Sequence, residues 1–145
     1  MSASGDITFQ FQHTPFRLRQ RHAVRAWLNH CIHHAGHTAG ELNFLFTTDE
    51  AMLAMNQLHL DHDYYTDILT FPMPSAQGLS ADIVISVDRT QDNAKTLNIK
   101  PLDELHRVMA HGVLHLTGLQ DDTADARQTM RKAESQWLLM REPFF

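Results

Sequence analysis

The sequence has little of what marks a secreted, disulfide-bonded or membrane-spanning protein. Its 145 residues include one cysteine, Cys31, which excludes an internal disulfide and is typical of a reducing compartment. No stretch approaches the 18 or so apolar residues that suggest a membrane helix. The first residues, MSASGDITFQFQ, lack the charged and apolar regions of a secretory signal. These absences predict a cytoplasmic protein without a membrane segment.

Internal repeats, low-complexity tracts and linkers are also absent. The length suits one domain and is too short for two of ordinary size. A chain near 150 residues buries roughly 68–70% of its unfolded surface, so it needs no metal or disulfide to hold a core. We therefore expect residues 1–145 to form a single domain.

Basic residues are scarce overall. Twelve Lys and Arg stand against 17 Asp and Glu, and the net charge of −5 argues against a basic coat for nonspecific nucleic-acid binding. Residues 1–40 are the exception, because their basic residues outnumber their one acidic residue, Asp6. The basic residues are Arg17, Arg19, Arg21 and Arg25. Both a local basic face and an ordinary solvated helix face fit this pattern.

Hydrophobic periodicity predicts an α+β fold in which a mixed sheet of about four strands packs with five to six helices. Strands are expected around Ile7–Phe11 and over Glu41–Thr47, Asp67–Phe71 and Asp82–Val87. Helices are expected over about Arg17–Ala35, from Thr48 or Asp49 to Leu58, and over Asp88–Leu97, Leu102–Leu116 and Ala124–Leu139. Pro101 suits the first position of the fourth helix.

The abundant residue is histidine, with 11 copies, and two of them have a spacing that chemistry can use. His111 and His115 lie four apart on a predicted helix, so their Cβ atoms are roughly 5–6 Å apart and both rings can reach one cation. Gly118 is placed to end the helix in a left-handed conformation, and the reversal would bring Asp121 to the same cation. The pattern predicts a zincin-like metal helix with His111, His115 and Asp121 as ligands.

The same spacing occurs in the metalloprotease motif H-E-x-x-H-x-x-G-x-x-H, with two differences. Gly112 stands where that motif has its general-base glutamate, so a peptidase of that mechanism is not expected. Asp121 replaces the third histidine, and three protein ligands with an open position are typical of a catalytic metal. Zinc is the ion we expect, with nickel as the alternative. Asp122 is the alternative third ligand.

A second group of histidines comprises His30, His33, His34 and His37. It contains pairs four residues apart, but no Asp, Glu or Cys nearby completes either pair as a metal site. We interpret these as surface histidines without a functional metal.

The run HGVLHLTG at 111–118 resembles the YbeY family of bacterial metal-dependent endoribonucleases, whose hallmark is H-G-x-L-H-L-x-G-x-D-H. Upstream, Asn56–Phe71 (NQLHLDHDYYTDILTF) resembles the family segment that ends in T-D-V-L-S-F. Ala81-Asp82-Ile83 resembles its G-D-I strand entry, and Glu104-Leu105 precedes the metal helix as in the family. The resemblance covers roughly residues 40–140.

The resemblance implies a compact α/β fold with a three-ligand, zinc-type site in a cleft, and cleavage of single-stranded RNA. It also implies a role in ribosomal RNA maturation and ribosome quality control, with the small ribosomal subunit and assembly factors as partners. The family's metal ligands carry over to His111, His115 and the position of Asp121. Asp67 and Asp82 also match family positions, and for both we expect structural roles at strand starts.

One departure concerns the cation beside the site. Leu60 stands where many family members have an arginine, and Arg107, one turn before His111, is a candidate catalytic substitute. An i,i+4 pair of Arg107 with Asp103 is the alternative.

The expected reaction is phosphodiester hydrolysis by a metal-activated water. A metal hydrolase with a non-RNA substrate, and a non-catalytic ribosome-assembly factor with a structural metal, stay open.

Overall fold

The computed structural model describes residues 6–60, 66–75 and 77–145, apart from the side chains of residues 59 and 60. Four strands and five helices follow one another in this part of the chain, which confirms the expected α+β class. They are β1 (Ile7–Phe11), α1 (Arg21–His34), β2 (Ala39–Thr47), α2 (Asp49–Leu60), β3 (Ile68–Pro72), β4 (Leu79–Ser86), α3 (Val87–Leu97), α4 (Pro101–Leu116) and α5 (Ala124–Leu139). No helix among the described residues is both long and apolar enough to cross a membrane.

The four strands form one mixed sheet in the order β1-β2-β4-β3. β1 pairs parallel with β2, and β2 pairs parallel with β4. β3 pairs antiparallel with β4, with Thr70 opposite Ile83, and lies at the edge of the sheet. A parallel strand needs a crossover connection, whereas an antiparallel edge strand can return directly. Because β3 lies at the edge of the sheet, a helix that packs on the sheet face can form an open cleft with it.

Alternate residues of the strands supply two apolar faces. On one face, Phe44 and Ile83 belong to the main core with Trp27 of α1 and Met109 of α4. On the other face, a smaller cluster packs Met52 of α2 against Leu69 and Val84, with Phe71 and Leu45 at its margin. Helix α4 contacts both β3 and β4, and α5 packs on α4. The sheet thus supports α4, and α4 supports α5.

Helix α4 begins and ends as its sequence predicts. Pro101 lies at its first position, with Asp103 and Glu104 in the first turn, where acidic side chains interact favourably with the helix dipole. After Leu116 the chain reverses at Gly118, whose φ of 110° is unfavourable for residues with a Cβ. The Gly118 N–H donates to the carbonyl of His115 at 3.0 Å. This reversal directs the following residues back toward the last turns of α4.

Two expected boundaries are wrong by three residues or more. Helix α1 begins at Arg21 rather than near Arg17, because Gln20 has a left-handed backbone with φ 55° and Leu18 is buried ahead of the helix. Strand β4 begins at Leu79, so Asp82 lies inside the strand rather than at its start. There its carboxylate accepts a hydrogen bond from Asn43 Nδ2 of β2 at 3.0 Å. Asp82 therefore has a structural role, as a cross-strand partner.

Candidate metal centre

The two histidines of α4 and the aspartate beyond it converge on one point. Nε2 of His111 lies 3.0 Å from Nε2 of His115. The Asp121 Oδ2 atom is 3.4 Å from each of these nitrogens. Ligands about 2.0–2.1 Å from a tetrahedral metal are separated by about 3.3–3.4 Å, so these distances are close to those of a metal site. The structure thus brings together His111, His115 and Asp121 as a group that could hold a divalent ion. We call these three residues the metal group.

Hydrogen bonds at the far side of each ring assign its protons. His115 Nδ1 lies 2.9 Å from the carbonyl oxygen of Leu119, which can only accept, so Nδ1 is the donor. His111 Nδ1 lies 2.6 Å from Glu134 Oε2, and an ionised carboxylate likewise only accepts. With Nδ1 as the donor, each ring in its neutral form presents the Nε2 lone pair to the same point as the Asp121 carboxylate. Two nitrogen lone pairs and an anionic oxygen repel one another unless a cation lies between them, so the donor set fits a divalent metal.

Glu134 of α5 is the residue of this site that sequence reasoning missed. Its side chain is nearly inaccessible to solvent, and its two oxygens face His111 Nδ1 and Arg107 Nη1. Burial has the largest single effect on its pKa and raises it, but the hydrogen bonds from His111 and Arg107 and the charge of Arg107 outweigh burial, so the pKa is lowered. The signal in the sequence is that Met130, Glu134 and Trp137 share the buried face of α5. A glutamate on an apolar helix face indicates a buried charge with a partner.

Arg107 is held between two buried carboxylates. Its Nε and Nη2 atoms donate to the two oxygens of Glu104 at 2.8 and 2.7 Å, and Nη1 donates to Glu134 at 2.9 Å. The hydrogen bonds to Glu104 have the largest effect on the pKa of Arg107 and raise it. Burial acts in the opposite direction, and the hydrogen bond to Glu134 raises the pKa further. The expected alternative pair with Asp103 is wrong, because Asp103 faces Arg141 at 3.0 Å instead. The guanidinium therefore supports the site through Glu134.

Gly112 follows His111 on α4 and lies against the sheet. A Cβ atom at this position would come within 2.8 Å of Ile68 Cδ1 on β3 and 3.3 Å of Ile83 Cγ2 on β4. Glycine thus allows α4 to approach the two strands closely. Because residue 112 is glycine, the position supplies no general base of the metalloprotease kind.

A cleft of about 430 Å³ lies between β3 and α4 and reaches the metal group. Besides His111, His115 and Asp121, it is lined by Thr66, Asp67, Ile68, Leu69, Thr70, Pro72 and Leu116. Burial is the main influence on the pKa of Asp67 and raises it, although the charge of Arg107 acts in the opposite direction. The backbone carbonyl of Asp67 accepts from the Ser86 N–H at 3.0 Å, so this residue both anchors the start of β3 and forms part of the cleft wall.

A smaller cavity of about 180 Å³ lies on the other side of the metal group, against α5. Arg107, Arg127, Met130, Arg131 and Glu134 line it together with His111 and Asp121. The metal group is therefore accessible from two sides. On one side lies the cleft between β3 and α4, which both polar and apolar residues line. On the other side lies the smaller cavity, whose wall includes three arginines.

The remaining candidate residues lie outside the metal group. Asp122 is exposed and is not a member of the group that converges on Asp121. The four histidines at 30–37 are exposed, and His30 contacts the rings of His34 and Phe144. The expectation about Leu60 falls on a side chain outside the described residues.

The basic N-terminal residues contact aromatic rings of β1. The guanidinium groups of Arg17 and Arg21 lie 4.9 and 5.2 Å from the centroid of the Phe11 ring. Arg25 lies 5.3 Å from the Phe9 centroid and donates to the backbone carbonyl of Ile7 at 2.9 Å. These arginines thus cover apolar surface at an edge of the sheet.

A family profile described as "Endoribonuclease YbeY" matches residues 7–141. A protein named endoribonuclease YbeY from Cytophaga hutchinsonii is 45% identical over 137 residues, which cover 94% of this chain and 96% of that protein. Its namesake from Bacteroides thetaiotaomicron is 36% identical over 93% of this chain and 98% of its own length.

A solved structure supports the fold. The solution structure of a Thermotoga maritima protein superposes with a TM-score of 0.67 and 19% identity, and the match covers 94% of this chain and 89% of that protein. The zincin-like character of α4 is not tested by this likeness and stays a prediction. The extent of the profile match and the identity to curated relatives show that this chain belongs to the YbeY family.

Proposed function

We propose that this protein is a metal-dependent endoribonuclease that hydrolyses phosphodiester bonds of single-stranded RNA. Membership of a family whose curated relatives are named endoribonucleases supports the reaction class. The observation that carries the proposal is the convergence of two imidazole nitrogens and one carboxylate oxygen beside a cleft of about 430 Å³. A cleft of this size and mixed polarity suits a segment of single-stranded RNA rather than a small ion alone.

His111, His115 and Asp121 are the proposed ligands of one divalent ion, with zinc as the expected metal and nickel as the alternative. When bound, the ion would polarise a phosphoryl oxygen and lower the pKa of a water molecule. Glu134 and the Leu119 carbonyl hold the Nδ1 protons of the two histidines, so each Nε2 atom stays available as a ligand. The hydroxyl groups of Thr66 and Thr70 lie in the cleft wall, where they are suited to hydrogen bonds with a ribose or base.

We further propose that residues 1–145 act as one domain in the cytoplasm and serve ribosomal RNA maturation and ribosome quality control. The partners would be the small ribosomal subunit and its assembly factors. A protein of net charge −5 has few cations with which to displace counterions from RNA, so we expect weak and salt-sensitive affinity for free RNA. Presentation of the RNA on a ribosomal particle would offset this weakness.

Elemental analysis tests the metal ligands. We expect about one equivalent of zinc in the purified protein, the same amount in an Asp122→Asn variant, and a sharp loss in Asp121→Asn. The two variants remove the same charge at neighbouring positions, so a general electrostatic effect would lower the metal content of both. Retention in Asp121→Asn with loss in Asp122→Asn would assign the third ligand to Asp122. Nickel in place of zinc would identify the alternative ion.

Substrate competition tests the reaction. Metal-loaded protein is incubated with single-stranded RNA, double-stranded RNA, an ester and a peptide, and we expect cleavage of the single-stranded RNA. A preference for the ester or peptide would overturn the ribonuclease proposal. An Asp121→Asn protein that lacks metal and cleavage yet still supports ribosome maturation would favour the non-catalytic assembly factor.

A further inference from the structure

We infer that Arg127 and Arg131 of α5 form a phosphate subsite, which binds a backbone phosphate adjacent to the scissile phosphodiester of the RNA. The inference rests on the proposed function for the nature of the ligand. It adds a binding site on a different element from the metal ligands and from the β3 cleft.

Both arginines lie in the wall of the smaller cavity at the metal group. They are four residues apart on α5, so their side chains project from the same side of the helix. Each lines the cavity of about 180 Å³ that also contains His111 and Asp121. Arg127 Nη1 donates to the backbone carbonyl of Asp121 at 3.4 Å, which places the Arg127 guanidinium beside the backbone of Asp121. A phosphate bound here would therefore be next to one held at the metal group.

The charges of these two arginines are not matched by carboxylates. Among the described residues, none of the ion pairs includes Arg127 or Arg131. Arg107, the third arginine of the cavity, differs because Glu104 and Glu134 occupy three of its nitrogens. Exposed arginines with free donors bind phosphate through two parallel hydrogen bonds, whereas a fully paired guanidinium cannot.

The opposite side of the metal group has no such cations. No lysine or arginine is among the described residues that line the β3–α4 cleft, and its ionisable side chains are Asp67, Asp121 and the two histidines. An RNA strand that crosses the metal group thus meets positive side chains only toward α5 in the part of the chain that the structure describes. This asymmetry favours a path with a nucleoside in the cleft and the neighbouring phosphate at α5.

The test compares the double variant Arg127→Ala/Arg131→Ala with the charge-matched control Arg19→Ala/Lys132→Ala. Arg19 lines a different cavity, and Lys132 is exposed on α5 outside the smaller one. Cleavage of a single-stranded RNA is measured with metal, and equilibrium binding of the same RNA is measured by fluorescence anisotropy with a chelator. We expect KM and Kd to rise about tenfold in the double variant relative to the control, with kcat and metal content unchanged.

The salt dependence provides a second readout. The slope of log Kd against log salt should fall by about 0.7 in the double variant, as for the loss of one phosphate contact on single-stranded nucleic acid. Equal KM, Kd and salt slope in the two variants would overturn the subsite while the ribonuclease proposal stands. If the parent protein cleaves no RNA but the double variant alone loses RNA binding, the proposed reaction fails and the subsite is supported.

Discussion

At the scale of single residues, three charged side chains outside the metal group determine how the group is held. Glu104 is fully buried, Glu134 is nearly so, and Arg107 lies between them. Two carboxylates thus share one guanidinium, and the second oxygen of Glu134 faces His111. Buried charges of this kind are tolerated because each has a partner, and loss of one partner leaves another unpaired.

Replacement of Glu134 should weaken metal binding. Gln has one oxygen in place of two, so Glu134→Gln cannot accept from both His111 and Arg107. We expect a loss of about 10- to 100-fold in affinity for zinc, measured by competition with a chelator, because a histidine ligand loses its orienting carboxylate. The control is Glu142→Gln, an exposed glutamate near the C-terminus. Equal affinities of the two variants would show that Glu134 does not orient His111.

Replacement of Arg107 should act first on stability. Arg107→Ala leaves Glu104 and Glu134 without their common cation, and we expect the free energy of unfolding in urea to fall by about 3–5 kcal/mol. Arg131→Ala, an exposed arginine one element away, should change it by no more than about 0.5 kcal/mol. If Arg107→Ala unfolds like the parent protein yet abolishes RNA cleavage, the catalytic candidate of the sequence is supported instead.

At the scale of elements, α4 combines three tasks on different sides of one helix. Its ligands face the cleft, Gly112 lies against β3 and β4, and His106 lies in the core beside the C-terminus. His106 is 1% exposed, and its ring centroid is 5.2 Å from those of Trp27 and Phe145. Arg141 Nη1 lies 2.9 Å from His106 Nδ1 and can only donate, so His106 Nδ1 is the acceptor and the ring is neutral.

This buried histidine predicts a loss of stability in acid. Burial, and then the charge of Arg141, lowers the pKa of His106 from 6.5 to about 4. The unfolded chain therefore binds the proton first as the pH falls, and stability is retained above about pH 6.5 and declines toward pH 4. The contribution is about 3 kcal/mol for a difference of this size. Urea unfolding across this range, with a chelator present, measures it.

The matched variant for this prediction is His106→Gln, which keeps a neutral acceptor for Arg141 and does not titrate. Its free energy of unfolding should decline less between pH 6.5 and 4 than that of the parent protein. Parallel pH profiles of the two proteins would assign the acid sensitivity to other groups.

At the scale of the whole molecule, the metal group and the hydrophobic core are separate. None of the three proposed ligands belongs to either buried apolar cluster, and their side chains are 18–45% exposed. We therefore expect the protein to remain folded when a chelator removes the metal, with stability lowered only by the free energy of metal binding. Circular dichroism should show unchanged helix content. Loss of the folded state on chelation would instead indicate a structural metal, as in the assembly-factor alternative.

The sequence predicted most elements because their signals are local. Apolar residues at periods of two and 3.6 identify the strands and helices, and Pro101 and Gly118 mark the two ends of α4. The start of α1 was wrong because the left-handed Gln20 carries no sequence signal that distinguishes it from a helical residue. Asp82 was misplaced because pairing of β4 with β2 extends the strand to Leu79.

By itself, the sequence predicted that His111, His115 and Asp121 come together. Helical geometry sets the separation of His111 and His115, and a glycine with positive φ returns the chain to them, so three ligands within eleven residues need no distant partner. Only the tertiary structure decided which nitrogen of His111 carries the proton, since Glu134 reaches His111 across 23 positions of the chain. The tertiary structure also decided that two carboxylates share Arg107, and that Arg127 and Arg131 line the smaller cavity beside the metal group. These contacts join α4 to α5, and their geometry depends on how the two helices pack.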